Sequence, residues 1–275
     1  DISGPQHQFH HRWLKESSLA LSNSLIRLHV SKGLMTKEIS NQMIKAARSL
    51  CKSVDQMQFP APVAWTYNPL DYGRTAHEDY LKRYASNRKR YIFLGMNPGP
   101  FGMVQTGVPF GEISFVRDWL GISEIKEQPE NTHPKRPIQG FDCTRSEVSG
   151  KRLWGLFQEK FGTARAFSKE HFVANYCPLA FLGETGRNLT PDKLPLQLRK
   201  ELYRHCADHF KRILTILQPE KVIGIGRFAF QRASETTDPM GIETMEILHP
   251  SPASPAANKD WKGKATKKLI LADVW

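Results

Sequence analysis

The chain has 275 residues, of which 40% are hydrophobic and 24% are charged. That is enough apolar material for one substantial core, and it favours one α/β domain with additional helices over two independent domains. Lys and Arg number 39 against 27 Asp and Glu, which gives a formal net charge of +12. A charge of this size favours a polyanionic partner such as nucleic acid, although a basic protein without such a partner is an equal alternative on charge alone.

The cysteines and the lack of long apolar runs exclude several classes of protein. Four cysteines lie far apart, at Cys51, Cys143, Cys177 and Cys206. None of them has CxxC or zinc-finger spacing, so we expect free thiols in a reducing compartment and no zinc or iron–sulfur site held by local cysteine spacing. We also expect no other bound metal and no cofactor. No run of about 18 apolar residues exists, so we expect no membrane-spanning helix.

The two ends of the sequence bear on where the protein acts. Residues 1–12 are polar and rich in His and Gln, unlike a signal peptide. Five lysines lie close to the other end, at Lys259, Lys262, Lys264, Lys267 and Lys268. We therefore expect a nuclear or cytosolic protein, and of the two we predict the nucleus.

The first third of the chain is predicted to be mostly helical, over residues 1–90. Apolar residues at helical spacing predict a helix over 13–31, and Thr36 as N-cap predicts a second helix, Thr36–Cys51. Prolines and a glycine predict an extended loop over Phe59–Arg74. A third helix is predicted over Thr75–Asn87.

Four short apolar runs predict parallel strands that are buried on both faces. They are Tyr91–Leu94, Phe172–Ala174, Val222–Ile225 and Met245–Leu248. Helical patterns separate them, most clearly over Pro195–Leu217, and two prolines predict an exposed loop over Asn131–Gln139. This alternation predicts an α/β fold: a single domain over 1–275 with a central four-stranded, mainly parallel sheet flanked by helices. The sheet core is expected over 91–250, and a surface loop with a basic C-terminus over 251–275.

Polar and turn-forming residues follow each predicted strand. The segment Gly95–Met103 follows the first, Asn175 ends the second, Gly226 follows the third, and His249–Pro252 follows the fourth. In open parallel sheets, ligands bind at the carboxyl ends of the strands. The sequence therefore predicts a site at this edge.

Each of these segments also has an ordinary structural interpretation. Gly95–Met103 is stiffened by prolines and opened by glycines, which suits a flat ligand or a simple strand-to-helix connection. His249 is either a satisfied core histidine or an imidazole presented by the prolines around it, and Asn175 binds either a ligand or a local turn. Gly224–Gly226 is a lone GxG, more typical of close packing than of a dinucleotide site.

Taken together, Gly95–Met103 and His249–Pro252 resemble the active-site motifs of the uracil-DNA glycosylase superfamily. The principal enzymes of that superfamily carry aspartate in the first motif and the histidine in the second. The mismatch-specific uracil/thymine enzymes carry asparagine in the first but lack the histidine. The pairing of Asn97 with His249 is similar to that of the single-strand-selective monofunctional family, over roughly residues 20–270.

The resemblance implies an enzyme of base excision repair with a uracil-DNA glycosylase-like fold. Such an enzyme flips uracil and 5-oxidised uracils (5-hydroxymethyluracil, 5-hydroxyuracil and 5-formyluracil) out of single- and double-stranded DNA. It hydrolyses the N-glycosidic bond and leaves an abasic site, without a Schiff base and without a metal. A monomer is expected.

The resemblance also implies a role for individual residues. Asn97 would position the attacking water, His249 would stabilise charge on the base at O2, and Asn175 would read the N3–H and O4 edge. Phe110 would stack on the flipped ring, and the wall of the pocket would be completed by Met96, Gly99, Phe101 and Met103, with Gly99 and Met103 near C5. DNA contacts are implied for Pro250, Ser251, Pro252, Ala253, Ser254, Pro255 and Lys259.

One residue departs from the pattern of this family. Many relatives carry arginine directly after the His-Pro-Ser-Pro motif, where this chain has Ala253. The side chain that would fill the gap left by a flipped base is therefore missing. Two alternatives stay open: a mismatch-specific uracil/thymine glycosylase, and a non-catalytic DNA-binding module with the same fold.

Overall fold

The structure, a computed structural model, describes residues 36–129 and 131–275. Within the described residues, Ile39–Trp275 belong to one compact unit. The predicted helix over 13–31 lies outside the described residues. The single domain over 1–275 stays a prediction.

The described elements alternate between strands and helices along most of the chain. The strands are β1 Trp65–Tyr67, β2 Tyr91–Gly95, β3 His171–Asn175, β4 Ala180–Leu182, β5 Asn188–Leu189, β6 Lys221–Ile225 and β7 Glu243–Ile247. The helices are α1 36–55, α2 Arg74–Tyr84, α3 Met103–Thr106, α4 Val148–Phe161, α5 Ala164–Phe167, α6 Leu196–Leu217, α7 Arg227–Thr237 and α8 Pro255–Leu271. Short 3₁₀ turns lie at Gly140–Asp142, Pro191–Lys193 and Asp238–Met240, and a π-helical turn at Phe115–Trp119.

The central sheet has four parallel strands in the order β3-β2-β6-β7. Every residue of β2 is buried, as expected for an inner strand covered on both faces. β7 lies at the edge, which explains why its sequence is less uniformly apolar. The predicted α/β fold with a four-stranded parallel sheet is confirmed, and all four predicted strands are found within two residues of their predicted bounds.

The helices cover the sheet with the apolar faces that their sequences predict. The buried side of α6 carries Leu202, Phe210, Ile213, Leu214 and Leu217. Phe157 of α4 stacks on Phe167 of α5, with ring centroids 4.4 Å apart, and both rings contact Phe93 of β2. This packing holds β2, and the loop that follows it, against a rigid core.

The predicted loop over Phe59–Arg74 was wrong in part, because it contains β1. This strand pairs antiparallel with β4, and β4 pairs with β5, which makes a second, three-stranded sheet. Strands of two or three residues are too short to show an alternating pattern, so the sequence carried no signal for this sheet.

Several helix bounds also differ from the predictions. Thr36, predicted as an N-cap, is already helical, and α1 continues to residue 55. The helix predicted over Thr75–Asn87 ends at Tyr84. The predicted loop and basic C-terminus over 251–275 is mostly α8, with a break at Asp260. The loop over Asn131–Gln139 is found, with one isolated bridge between His133 and Arg136, but it is only partly exposed because His133 and Ile138 are buried.

No helix in the described part of the chain combines the length and the apolar character that crossing a bilayer requires.

Candidate active site

A cavity of about 260 Å³ lies at the carboxyl ends of β2, β3 and β7. Nine residues predicted for the site line it together: Met96, Asn97, Gly99, Met103, Phe110, Asn175, His249, Ser251 and Pro252. They come from four separate stretches of the chain, which the parallel sheet brings to one edge.

The remaining predicted residues lie outside the cavity lining. Phe101 packs its ring under two guanidinium groups, 4.1 Å from Arg145 and 5.5 Å from Arg136, rather than facing the cavity. The others belong to the segment that leads from His249 into α8: Pro250, Ala253, Ser254, Pro255 and Lys259. Of these, Ala253, Pro255 and Lys259 are exposed.

Asn97 is held at the end of β2 by the backbone of a neighbouring loop. Its side-chain Nδ2 donates to the carbonyl oxygen of Leu179 at 3.2 Å. The loop after β2 is joined to the loop after β3, because the N–H of Cys177 donates to the carbonyl of Met96 at 2.8 Å. With the amino group engaged, Oδ1 of Asn97 is the atom that can accept a hydrogen bond from a water in the cavity.

Asn175 presents an unsatisfied acceptor at the end of β3. Its Nδ2 lies 3.3 Å from the sulfur of Met103, and its buried Oδ1 has no hydrogen-bond partner among the described residues. A side chain on Gly95 would come within 2.4 Å of this oxygen, so only glycine leaves the space open. A buried acceptor of this kind is costly unless a ligand donates to it.

Phe110 is held in a backbone conformation that is rare for a non-glycine residue. Its φ is 53°, in the left-handed region. Its carbonyl accepts from Nε1 of Trp154 at 3.1 Å, and Gly150 lies so close that a Cβ there would be 2.0 Å from the same oxygen. Such strain persists only where the surroundings impose it, and here it brings the ring into the wall of the cavity.

His249 is neutral at physiological pH, and its tautomer follows from its hydrogen bond. Burial lowers the pKa of the imidazole to about 4. Its Nδ1 lies 3.1 Å from the backbone N–H of Ser251, so Nδ1 accepts and the proton of the neutral ring is on Nε2. The imidazole thus offers the cavity a fixed N–H donor, beside the ring of Phe110 at a centroid distance of 6.0 Å.

The segment after His249 is braced by hydrogen bonds from Arg152 and Asn258. Arg152 of α4 donates to the carbonyl of Pro250 at 3.1 Å and to Oδ1 of Asn258 at 3.0 Å. Asn258 in turn donates to the carbonyl of Pro252 at 2.7 Å. The turn that carries exposed Ala253 is therefore fixed in position.

Outside the predicted loop Gly95–Met103, sequence reasoning missed four residues of the cavity wall, namely Glu147, Ser149, Asn188 and Thr190. Asn188 and Thr190 lie on or beside β5 of the unpredicted antiparallel sheet. It also missed buried Gln105, whose side chain donates to the carbonyls of Pro100 and Pro137 and so shapes the loop after β2. No local motif marks these residues, because their roles depend on partners far away in the chain.

One group of described residues has metal-ligand atoms within reach of one another, and it lies outside the cavity lining. It consists of Cys51, Asp55 and Asp71. The thiol of Cys51 donates to the Asp55 carboxylate, and burial together with the neighbouring acids raises its pKa to about 12. A protonated thiol is a poor metal ligand.

The sheet order and the polar cavity at its carboxyl edge define an α/β protein with a ligand site at the ends of parallel strands. The model of the uracil DNA glycosylase superfamily matches residues 81–274. Relatives named single-strand selective monofunctional uracil-DNA glycosylase are 44% identical over 85% of this chain in Rattus norvegicus and in Mus musculus, covering 84% and 85% of those proteins. The relative of that name in Bos taurus is 45% identical, over 78% of this chain and 79% of its own.

The chain belongs to this superfamily, and within it to the family of the single-strand selective monofunctional enzymes. This confirms the resemblance inferred from the motifs and the predicted enzyme class. The crystal structure of wild-type SMUG2 from Pedobacter heparinus superposes with a TM-score of 0.59 over 83% of this chain and 97% of that one. At 18% identity, that likeness shows the fold alone.

Proposed function

We propose that this chain removes uracil and 5-oxidised uracils from single- and double-stranded DNA and leaves an intact abasic strand. The oxidised bases in question are 5-hydroxymethyluracil, 5-hydroxyuracil and 5-formyluracil. The observation that carries the proposal is one cavity that holds a fixed donor on His249, an unsatisfied acceptor on Asn175 and a water-binding amide on Asn97. The donor on His249 matches O2 of uracil, and the acceptor on Asn175 matches its N3–H. The amide of Asn97 matches the water that attacks the sugar.

The cavity suits a single base that has left the DNA stack. Phe110 provides a flat apolar wall, and Asn175 reads the edge of the base with an acceptor for N3–H and a donor for O4. Cytosine presents the reverse pattern at these atoms and is rejected if the amide cannot turn. The sulfur of Met103 beside Nδ2 favours the amide orientation that accepts uracil.

Cleavage is driven mainly by stabilising the departing base as an anion. Because His249 is neutral, its Nε2–H forms a hydrogen bond that strengthens as charge develops on O2. Asn97 is a weak base, so its role is to hold water at the sugar rather than to remove a proton early. This suits a transition state in which the glycosidic bond is largely broken before water adds.

The DNA strand is expected to lie across the mouth of the cavity. The basic excess of the chain, +12 overall, favours binding to phosphates. Exposed Lys259 at the start of α8 and the braced turn at Ala253 lie next to the cavity in sequence and contribute on this side. We also propose that the protein acts as a monomer and that it acts in the nucleus. The nuclear location is inferred from the lysines of α8.

Base release from a single-stranded oligonucleotide containing uracil tests the proposal. With enzyme in excess, Asn97→Ala and His249→Leu are each expected to slow release by about 10²–10³-fold, since each removes one preorganised contact to the reacting groups. DNA binding, measured by fluorescence anisotropy, should change little. His205→Leu, a histidine of α6 outside the cavity lining, serves as the control.

The same assay separates the alternatives. Wild-type rates in either active-site variant would refute the assigned roles. Binding without any release would identify a non-catalytic DNA-binding module. Release of thymine from a G·T duplex as fast as uracil would identify the mismatch-specific activity.

A further inference from the structure

Glu147 places a carboxylate in the wall of the cavity, although no motif points to it. It is the N-cap residue of α4, and its Oε1 accepts from the backbone N–H of Ser149 at 3.3 Å. That bond fixes one oxygen of the carboxylate. The side chain is only half-buried, so it is reachable from the cavity.

The other oxygen lies against the loop after β2, where two glycines make room for it. A Cβ on Gly99 would come within 2.4 Å of Oε2 of Glu147, and a Cβ on Gly102 within 2.9 Å of its Cγ. Any larger residue at either position would push the carboxylate away. The loop is therefore shaped around this side chain.

The environment of Glu147 disfavours an unpartnered charge. Burial is the largest cause that raises the pKa of the carboxyl, and the nearby Glu112 carboxylate raises it further. A carboxylate placed in such surroundings needs hydrogen bonds from water or from a ligand.

The orientation of Asn175 shows which part of a bound base meets this wall. Its Nδ2, the donor for O4, lies beside the sulfur of Met103. O4 of the base is then on the Met103 side, and C5 is the ring carbon next to the one that carries O4. A substituent on C5 therefore points toward the loop Gly99–Met103, against which Glu147 packs.

We propose that Glu147 determines specificity at the 5-position, as the hydrogen-bond acceptor for a donor carried on C5 of the base. This inference rests on the proposed function. The hydroxyl of 5-hydroxymethyluracil donates to the carboxylate directly. Over unsubstituted uracil, a water takes the same place and makes the same bond.

Other 5-substituents fit this acceptor less well. The methyl group of thymine displaces the water and leaves Oε2 of the carboxylate without a donor, which disfavours binding. The formyl group of 5-formyluracil carries only an acceptor oxygen, which the carboxylate repels, so this base is expected to be a slower substrate than 5-hydroxymethyluracil. The acceptor thus distinguishes donor from acceptor substituents of similar size.

Glu147→Gln tests the inference, because glutamine keeps the size of the side chain and a capping oxygen but replaces the acceptor charge with an N–H donor. Single-turnover rates are measured on single-stranded oligonucleotides that contain uracil, 5-hydroxymethyluracil or 5-formyluracil. Relative to uracil, release of 5-hydroxymethyluracil is expected to fall by about 10–100-fold, because a hydrogen bond to a charged group usually contributes a factor of this size. Release of 5-formyluracil relative to uracil is expected to stay the same or rise.

Two further variants complete the design. Glu159→Gln removes the same charge from an exposed position on α4 and should leave all three ratios unchanged. Glu147→Asp keeps the charge and a capping group but withdraws the carboxylate by one methylene. It replaces Glu147→Gln if that variant does not fold, and the same selective loss on 5-hydroxymethyluracil is expected.

The outcomes separate this inference from the function on which it rests. If the unmutated chain releases no base from any oligonucleotide, the proposed function fails. If the unmutated chain is active and Glu147→Gln releases each modified base at the same rate relative to uracil as the unmutated chain does, the inference is overturned and the proposed function stands. An equal fall in all three rates with a lower melting temperature would show that Glu147 only caps α4, which also overturns it.

Discussion

Gly226 packs against His249 from outside the cavity lining, and Gly226→Ala tests whether this contact places the imidazole. The glycine directly follows β6 and has φ 84° and ψ 164°, a region that is essentially restricted to glycine. A Cβ there would lie 2.9 Å from Cβ of His249, whereas ordinary contacts begin at 3.4 Å. A backbone hydrogen bond also joins Gly226 to the end of β7, two residues before His249, since the N–H of Gly226 donates to the carbonyl of Ile247 at 2.8 Å.

The substitution should therefore lower both the free energy of unfolding and the rate of base release, each for a separate reason. Forcing alanine into this backbone region costs about 1–3 kcal/mol of the free energy of unfolding. Relief of the contact moves His249 by about half an ångström, and a misplacement of about 1 Å commonly lowers a rate by about 10²-fold. We expect base release to slow by about 10-fold or more.

Gly241→Ala is the matched control. Gly241 also has a positive φ, 68°, but a Cβ there meets nothing within 4 Å. It should lower the free energy of unfolding, measured by urea denaturation, by about 1–2 kcal/mol without changing the rate of uracil release at saturating enzyme. Equal rates for the two variants, or a wild-type rate in Gly226→Ala, would refute the argument that this contact places the imidazole.

Three further predictions follow from individual contacts. Asn175→Asp replaces the donor for O4 by a second acceptor and should slow uracil release by at least about 10²-fold; an unchanged rate would make Asn175 purely structural. Ala253→Arg supplies a side chain long enough to fill the gap left by a flipped base, and should speed release from duplex DNA but not from single strands; equal effects on both would exclude a wedge at this position. His209 is half-buried, and desolvation of its imidazole is the main cause that lowers its pKa to about 4, so its contribution to stability is complete above pH about 6.5 and is lost as the pH falls toward 4. The free energy of unfolding should drop by about 2 kcal/mol from this group between pH 7 and pH 5, and His209→Gln should remove that part of the drop in urea titrations.

Much of the fold followed from local patterns in the sequence. The runs that became β2 and β6 are apolar throughout because both faces of an inner parallel strand are buried, and α6 shows its buried face at helical spacing. The residues after these strands had to share an edge, since parallel strands all end on the same side. The grouping of Asn97, Asn175 and His249 in one cavity was predictable for this reason.

Only the tertiary structure decided which other groups complete the site and in what chemical state. Glu147 and Asn188 reach the cavity from elements with no motif, and Arg152 braces the turn at Ala253 from α4. The neutral ring of His249 depends on burial by several distant segments and on one hydrogen bond from Ser251. Desolvation and contacts between residues far apart in the chain arise only when the segments pack together, so no local pattern in the sequence encodes them.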